Sequence, residues 1–149
     1  NPDSGISVQQ VRKLGYRERS NKKIIVVEDS PLLRKLLSTT LTEAGFENIE
    51  FFENGQEALF FLEKSAESVK DITESIQMVV TDIEMPLMDG HHLTKRIKGN
   101  KELSKLPVII FSSLITDDLR HKGQVVGANA QVSKPEIGEL IQVIDEHIL

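Results

Sequence analysis

Short runs of β-branched and apolar residues recur along the chain, and each is followed by a stretch with helical spacing of its apolar residues. The first run, residues 24–27, is continuous and apolar, as a central strand buried on both faces requires. Four more runs follow it, at residues 49–52, 78–81, 107–111 and 127–133. Strands that alternate with helices in this way indicate β-α units around a parallel sheet. The pattern therefore predicts an α/β domain with five strands.

The helical stretches show where two of the helices begin or which face they bury. Ser30 and Pro31 supply an N-cap and a first-turn proline for the first helix. Its apolar stripe is expected to comprise Leu32, Leu33, Leu36, Leu37 and Leu41. The last helix has the clearest pattern, with apolar residues at 137, 140, 141, 144 and 148. Such i, i+3, i+4 spacing means that one face of this helix is buried.

Charge is distributed unevenly along the chain. Residues 1–23 carry six Lys/Arg and two Asp/Glu, whereas residues 24–149 carry twelve against twenty-one. The first 22 residues are basic, rich in turn-forming residues and poor in large apolar ones. We therefore expect a linker, or the remnant of an upstream domain, at 1–22 and the folded domain at 23–149. A basic cluster can bind nucleic acid, but no aromatic residues interleave with it here, and we expect no nucleic-acid partner.

Two absences in the sequence narrow the possible functions. The chain has no cysteine, which excludes disulfide frameworks, thiolate catalysis and Cys-ligated metal sites. No apolar run approaches the roughly 20 residues needed to span a bilayer, and the first residues show no targeting segment. We expect a cytoplasmic protein that does not insert directly into a membrane.

Charged and hydroxyl side chains follow four of the five predicted strands. Glu28 and Asp29 follow the first strand, and Asp82 follows the third. Ser112 ends the fourth strand and Lys134 follows the fifth. In an open parallel sheet the ligand site lies outside the carboxyl ends of the strands. Each of these residues alone is explained as a loop residue or a helix cap, but their agreement at four strand ends predicts one shared site.

The chemistry of this residue set favours phosphoryl transfer assisted by a divalent ion. Three converging carboxylates repel one another unless a cation joins them, and Mg2+ prefers carboxylate oxygens, water and phosphate oxygens. A carboxylate such as Asp82 can itself attack phosphorus, and Lys134 would neutralise charge on the transferring group. Ser112 would bind a phosphate oxygen. The backbone N–H groups of Ile83 and Ser113 are further candidate phosphate donors.

The same residues carry a resemblance to a known family. Residues 26–30, the segment 81–90, Ser112 and the Lys134–Pro135 pair resemble bacterial response-regulator receiver domains over about residues 23–149. The resemblance implies a flavodoxin-like (βα)5 fold, a doubly wound parallel sheet in the order 2-1-3-4-5. It also implies a regulatory domain of two-component signalling, not an enzyme with turnover, which takes part in its own phosphorylation and slow dephosphorylation.

The family's roles can be transferred residue by residue onto this sequence. The resemblance implies that Asp82 is phosphorylated and that Mg2+ is held by Asp29, Asp82 and the backbone carbonyl of Glu84. Glu28 would bond a water on the metal. Ser112 and Lys134 would bind the phosphoryl group.

Three further segments, residues 51–56, 89–94 and 111–116, are similar to the receiver half of CheV-type chemotaxis coupling proteins. In that family a CheW-like domain upstream of the receiver joins chemoreceptors to the histidine kinase CheA, and the receiver accepts phosphate from CheA. The likeness implies a CheA-type kinase as partner. It also implies contact with the chemoreceptor array through an upstream CheW-like domain.

The sequence departs from the receiver pattern at two places. Receivers often have an aromatic switch residue three positions before the lysine, whereas this chain has Gln131, so the output route is left open. The spacing from Asp29 to Asp82 is longer than expected, with the surplus at residues 63–75. Glu84 is a carboxylate at a position that faces the site in receivers, and we expect it to influence hydrolysis of the phosphorylated aspartate.

Several other interpretations compete with a receiver domain. His91 and His92 are adjacent on a helix without a third ligand in register, so we expect solvent-facing positions, not a metal site. A phosphohydrolase of the haloacid dehalogenase type also uses an Asp nucleophile and Mg2+, but its nucleophile precedes its acid pair. A flavodoxin-like electron carrier needs a neutral phosphate-binding first turn, whereas residues 29–31 are acidic.

Overall fold

The computed structural model describes residues 18–113 and 115–149. Five strands form one parallel sheet in the order β2-β1-β3-β4-β5. The strands are β1 Lys23–Val27, β2 Asn48–Phe52, β3 Met78–Thr81, β4 Val108–Ser112 and β5 Ala130–Ser133. The helices that follow them in turn are α1 Pro31–Glu43, α2 Gly55–Glu67, α3 Gly90–Lys98, α4 Asp117–Val125 and α5 Ile137–Ile148. The predicted fold class and strand order are confirmed.

The central strands bury side chains on both faces, which explains their continuous apolar sequences. Along β1, Ile25 and Val27 point into a core layer shared with α2 and α3. Ile24 and Val26 point the other way, into a layer shared with α1 and α5. Successive side chains of a strand alternate between its two faces. The sheet therefore lies between two apolar layers, each covered by helices.

Helix α1 begins as predicted but buries a narrower stripe than expected. The Ser30 hydroxyl accepts a hydrogen bond from the Leu33 N–H, and Gly45 adopts a left-handed φ of 103° after the helix end. Leu37 and Leu41 are buried. Leu32 and Leu36, which we placed in the stripe, are exposed by 80% and 45%. Each lies one position, about 100°, around the helix from a residue that faces the sheet.

The segment between α2 and β3 accounts for the long spacing seen in the sequence. A short 3-10 helix, Ile72–Glu74, interrupts it, and Ile72 and Ile76 are fully buried in the core. The Ile72 N–H donates to the Glu102 carboxylate at 2.9 Å. The surplus residues thus form the last turns of α2 and a loop that is fixed by apolar side chains.

Helix α4 buries little of its own surface. Gly123 is the only residue of α4 that is buried. A Cβ at Gly123 would collide with the side-chain amide of Gln131 on β5. The Gln131 Nε2 donates to the backbone carbonyl of Arg120 at 2.8 Å. Helix α4 therefore approaches the sheet through one amide side chain and a glycine.

Residues 18–22 lead into β1, and Arg19 is their main anchor to the domain. Its guanidinium donates to both carboxylate oxygens of Asp145 on α5, at 3.1 and 2.6 Å, and to the Ala44 carbonyl at 2.8 Å. Residues 1–17, which hold most of the predicted linker, lie outside the described residues.

Among the helices formed by the described residues, none combines the length and apolar character needed to cross a membrane.

Candidate functional site

The acidic residues predicted from the strand ends meet at one edge of the sheet. Strands β1 and β3 are neighbours with Val27 opposite Thr81, so the residues that follow them emerge side by side. The Asp82 N–H donates to the Val27 carbonyl at 3.0 Å. Carboxylate oxygens of Glu28, Asp29 and Asp82 all lie within 4.8 Å of one another. We call these three residues the acidic trio.

Several hydrogen bonds fix the loop that carries two members of the acidic trio. The Glu28 N–H donates to the Phe52 carbonyl at 2.9 Å, and the Glu28 side chain accepts from the Ser30 N–H at 3.2 Å. The Arg34 guanidinium donates to the Glu28 carbonyl at 2.8 Å and lies 3.6 Å from the Glu53 carboxylate. Arg34 thus holds the loop after β1 from the first turns of α1, a role that the sequence did not reveal.

Lys134 supplies the positive charge at this edge. It follows β5, and its N–H donates to the Ser112 carbonyl at 3.0 Å, which fixes its main chain beside β4. Its ammonium lies 2.7 Å from Glu28 Oε1 and 3.1 Å from Asp82 Oδ2. The side chain is only 13% exposed. The Lys134 ammonium therefore forms ion pairs with two of the three acidic residues.

Burial perturbs the carboxylate of Glu28. Its side chain is almost fully buried, and loss of hydration raises its pKa above the ordinary value. The hydrogen bonds from Lys134 and Ser30 oppose this rise in pKa, and the charge of Asp82 adds to it. The site would therefore gain from a further positive charge close to Glu28.

The donor set of the acidic trio fits Mg2+, which binds through a few carboxylate oxygens and keeps water and phosphate oxygens in its octahedral shell. Asp29 is exposed, whereas the Asp82 side chain is only 11% exposed and Glu28 is buried, so the site opens to solvent at Asp29. Carboxylates at this spacing can hold the ion without a nitrogen or sulfur ligand. The predicted Mg2+ site is thus consistent with the geometry of the three side chains.

The other predicted site residues lie around the acidic trio in different environments. Ser112 is buried at the end of β4, and Ser113, which follows it, is exposed. The Ile83 N–H, predicted as a phosphate donor, donates to the Asp82 Oδ1 at 2.7 Å. Glu84 is exposed, and its carboxylate is not part of the acidic trio. The structure thus brings together Glu28, Asp29, Asp82 and Lys134, and the roles assigned to all eight residues stay predictions.

Helix α3 starts directly against the main chain of Asp82. The Gly90 N–H donates to the Ile83 carbonyl at 2.8 Å, and Asp89 caps the helix by accepting from the His92 N–H at 2.7 Å. A Cβ at Gly90 would collide with the carbonyl oxygen of Asp82. Glycine is therefore required at position 90 for this close approach.

The expectation that both histidines of α3 face solvent is wrong for one of them. His92 is exposed, but His91 is only 2% exposed, because its side of α3 is covered by α4. Its Nε2 is buried without a hydrogen-bond partner among the described residues. Burial lowers the pKa of His91, and the positive charge of Lys122 lowers it further. His91 is therefore held in the neutral form.

Comparison with known proteins identifies the family. Residues 24–145 match the family described as Response regulator receiver domain. The chain is 31% identical over 125 residues to a gliding motility regulatory protein of Myxococcus xanthus, covering 83% of this chain and 15% of that protein. It is 30% identical to chemotaxis protein CheY-3 of Vibrio cholerae, and the match covers 77% of this chain and 82% of that protein. It is 28% identical to chemotaxis protein CheV3 of Helicobacter pylori, covering 80% and 38%.

Solved structures show the same fold. The signal receiver domain of a histidine kinase from Syntrophus aciditrophicus superimposes with a TM-score of 0.73 at 28% identity, covering 85% of this chain and 89% of that one. The receiver domain of the Arabidopsis thaliana histidine kinase CKI1, solved with Mg2+ and BeF3-, superimposes with a TM-score of 0.74 at 21% identity. This match covers 89% of this chain and 95% of that one. The chain spans a small part of some relatives, such as the Myxococcus protein, and most of others. With its sheet order, its acidic trio and this family match, the chain belongs to the response regulator receiver domains.

Proposed function

We propose that Asp82 accepts a phosphoryl group from a phosphohistidine of a histidine kinase, with Mg2+ bound at the acidic trio, and that this event regulates a partner. One observation carries the proposal: three carboxylates lie within 4.8 Å of one another, and one lysine ammonium contacts two of them. Mutual repulsion and burial make such a cluster costly in free energy, and a bound cation would offset that cost. A site that gathers a cation in this way is suited to receive a phosphoryl anion.

The residues would divide the work as follows. Asp29, Asp82 and the Glu84 carbonyl would hold Mg2+, with Glu28 bonding one of its waters. When bound, the ion neutralises charge on the transferring phosphoryl group and on the carboxylates. A carboxylate oxygen of Asp82 forms the new bond to phosphorus while the bond from phosphorus to the kinase imidazole nitrogen breaks, and that nitrogen keeps the electron pair.

The phosphate-binding groups lie on the loops around Asp82. Lys134 would move from its ion pair with Asp82 to a phosphoryl oxygen, because phosphorylation places charge at the same position. Ser112 and the N–H groups of Ile83 and Ser113 would bind the remaining oxygens. Phosphorylation thereby exchanges the Ile83 and Lys134 contacts of the free carboxylate for contacts to phosphate, which gives the domain two states.

We infer a chemotaxis setting of the CheV type for this receiver. Support comes from the likeness to CheV3, from the matching segments in the sequence and from the basic residues 1–22, which suit a connector to a CheW-like domain. The kinase would then be of the CheA type, the chemoreceptor array would be reached through the CheW-like domain, and the protein would act in the cytoplasm. The likeness to CheY-3, which the chain covers over 82% of its length, favours a receiver acting without such a domain as the second candidate.

Phosphorylation from a small donor tests the central claim. Incubation with acetyl phosphate and Mg2+ should add one phosphoryl group per chain, seen in the intact mass, and the Asp82→Asn variant should add none. Asp117→Asn, on exposed α4, is the matched control and should label normally. A phosphohydrolase would instead turn over phosphate esters many times. Failure of the wild-type chain to label would overturn the proposal.

The chemotaxis setting has a separate test. A phosphorylated CheA-type kinase should transfer its phosphoryl group to this chain faster than a phosphorylated kinase from an unrelated two-component system does. Equal rates from both kinases, in a chain that labels with acetyl phosphate, would remove the CheA-type assignment and leave the receiver function in place.

A further inference from the structure

A groove of about 340 Å³ lies between α3 and α4, and no member of the acidic trio is among its lining residues. Its lining includes Lys95 and His92 from α3 and Lys122 and Val125 from α4, with His91 at its buried side. We call it the α3–α4 groove. None of these side chains belongs to the set that holds Mg2+ or phosphate in the proposed function.

Among the described residues, the two lysines of the groove are not paired with an acidic side chain. Within residues 18–113 and 115–149, Lys95 and Lys122 form no ion pair, whereas four other lysines each pair with an acidic side chain. Residues 24–149 carry an excess of acidic residues, so acids to pair with are abundant. Two unpaired lysines beside one groove thus form a positive patch on an acidic domain.

A buried polar atom lies at the same groove. The Nε2 of His91 is shielded from solvent and has no hydrogen-bond partner among the described residues. Two charged groups face the imidazole, Lys122 from α4 and Asp89 from its own helix, and it also contacts the Leu119 backbone. The positive charge of Lys122 disfavours protonation of this imidazole, so an anion beside Lys122 would lower the electrostatic cost at the groove.

The remaining lining indicates what kind of anion fits. Val125 is 70% exposed, and Val126 lines the groove beside it, so the wall on α4 is largely apolar. Asp89 is the only acidic residue of the lining, and one of its carboxylate oxygens already accepts the His92 N–H. A ligand that combines negative charge with an apolar group satisfies both halves of the groove.

We propose that the α3–α4 groove binds an acidic segment of a partner protein, with an Asp or Glu carboxylate between Lys95 and Lys122 and an adjacent apolar side chain on Val125. Inorganic phosphate would satisfy the lysines alone, and the exposed valine favours the peptide. No member of the acidic trio lines the groove, so all the side chains that the proposal uses are in place without phosphorylation of Asp82.

Binding of a carboxylate also has a protonation signature. An anion beside Lys122 and His91 offsets the positive charge that disfavours imidazolium, so the pKa of His91 rises toward its ordinary value when the segment is bound. An apolar peptide without charge does not produce this rise. The imidazole thus reports on the charge of the bound segment, not on its presence alone.

The test uses the whole 149-residue chain, isotope-labelled, in an NMR titration. The probe is the capped peptide acetyl-Leu-Asp-Glu-Leu-amide, and its neutral counterpart is acetyl-Leu-Asn-Gln-Leu-amide. We expect the acidic peptide to shift the resonances of α3 and α4 with a Kd on the order of 1 mM, and to raise the pKa of His91. Lys122→Gln should weaken this binding about threefold to fivefold, and Lys95→Gln/Lys122→Gln about tenfold.

Matched controls decide the outcome. Lys35→Gln removes the same charge from an exposed lysine on α1, which packs on the opposite face of the sheet, and should leave the Kd unchanged. Equal binding of the neutral peptide, an unchanged His91 pKa, or equal weakening by Lys35→Gln would each overturn the proposal. The proposal would also be overturned if inorganic phosphate displaced the peptide and bound with a lower Kd than the peptide does. The groove would then be a general anion site.

Discussion

The Lys134 ammonium lies 2.7 Å from the Glu28 carboxylate, although their strands β5 and β1 are separated in the sheet by β3 and β4. The contact crosses the whole acidic edge and also includes Asp82. It opposes the cost of burying Glu28, whose pKa is raised by lost hydration. One lysine therefore offsets much of the free-energy cost of burying Glu28.

Replacing this lysine should destabilise the metal-free domain. We expect Lys134→Gln to lower the free energy of unfolding at neutral pH by about 1–3 kcal/mol, because Glu28 is left as a buried charge without a counter-ion. The loss should shrink at acid pH, where the raised pKa of Glu28 lets it become neutral. Urea denaturation with and without Mg2+ measures both effects, and Mg2+ should stabilise the variant more than the wild type. Lys35→Gln is the control, and an equal loss there would contradict the explanation.

Glu84 is expected to affect the lifetime of phosphorylated Asp82. It is an exposed carboxylate two residues after Asp82, where it would orient an attacking water. Glu84→Ala should slow loss of the phosphoryl group several-fold, less than the roughly hundredfold or greater effect of a well-positioned general base. Decay of the phosphorylated mass after removal of acetyl phosphate gives the rate. Glu146→Ala, at an exposed position of α5, should decay as the wild type does, and an unchanged rate in Glu84→Ala would refute this role.

His91 should make stability fall at acid pH. Its folded-state pKa is lowered by burial, whereas the unfolded chain has the ordinary value of about 6.5. Below that pH the unfolded state binds a proton that the folded state does not. The contribution is fully present above about pH 6.5 and is lost as pH falls toward the folded-state pKa, with a slope of at most about 1.4 kcal/mol per pH unit. His91→Leu should remove this part of the slope in denaturation curves, and His92→Leu should not.

Gly90 and Gly138 form a pair of opposite predictions. A methyl group at Gly90 meets the Asp82 carbonyl, which cannot move away, so Gly90→Ala should cost about 3 kcal/mol, the upper end of the range for overpacking. Gly138 lies in α5 with open space around it, so Gly138→Ala should stabilise by about 0.5–1 kcal/mol. Urea denaturation of both variants tests these two predictions. Stabilisation by Gly90→Ala would show that α3 does not pack closely against the main chain of Asp82.

The close approach of Gly123 to Gln131 predicts that Gly123→Ala changes stability in opposite directions in the wild type and in a Gln131→Ala variant. Alone, Gly123→Ala should destabilise, because the new methyl group collides with the Gln131 amide. In a Gln131→Ala background the same change should stabilise by about 0.5–1 kcal/mol, as alanine does in a helix. A double-mutant cycle from denaturation curves gives the coupling energy. Additive effects would mean that Gln131 does not hold α4.

The sequence predicted the sheet and the acidic trio because both depend on local patterns. Apolar β-branched runs mark buried strands, and the carboxyl ends of parallel strands meet at one edge wherever the strands are neighbours. Glu28, Asp29 and Asp82 were therefore expected together before any geometry was known, and so was Lys134. The strand order itself came from the resemblance to receiver domains.

The features that were missed depend on contacts between distant elements. Leu93 and Ile97 mark the side of α3 that faces the sheet, but nothing local shows that α4 covers a second side and buries His91. Arg34 bonds a main-chain carbonyl, which any residue can offer, so no spacing in the sequence points to it. Leu32 and Leu36 were misplaced because a helix stripe read from leucines alone is wider than the face that the sheet covers.

The position of Arg19 has a consequence for how this domain is attached to anything else. Arg19 precedes β1 and is fixed to α5 and to the end of α1, whereas the acidic trio lies at the far end of β1. A strand of five residues separates the two ends by about 16 Å. A partner that docks at Asp82 therefore approaches the opposite end of β1 from the residues that lead into the domain.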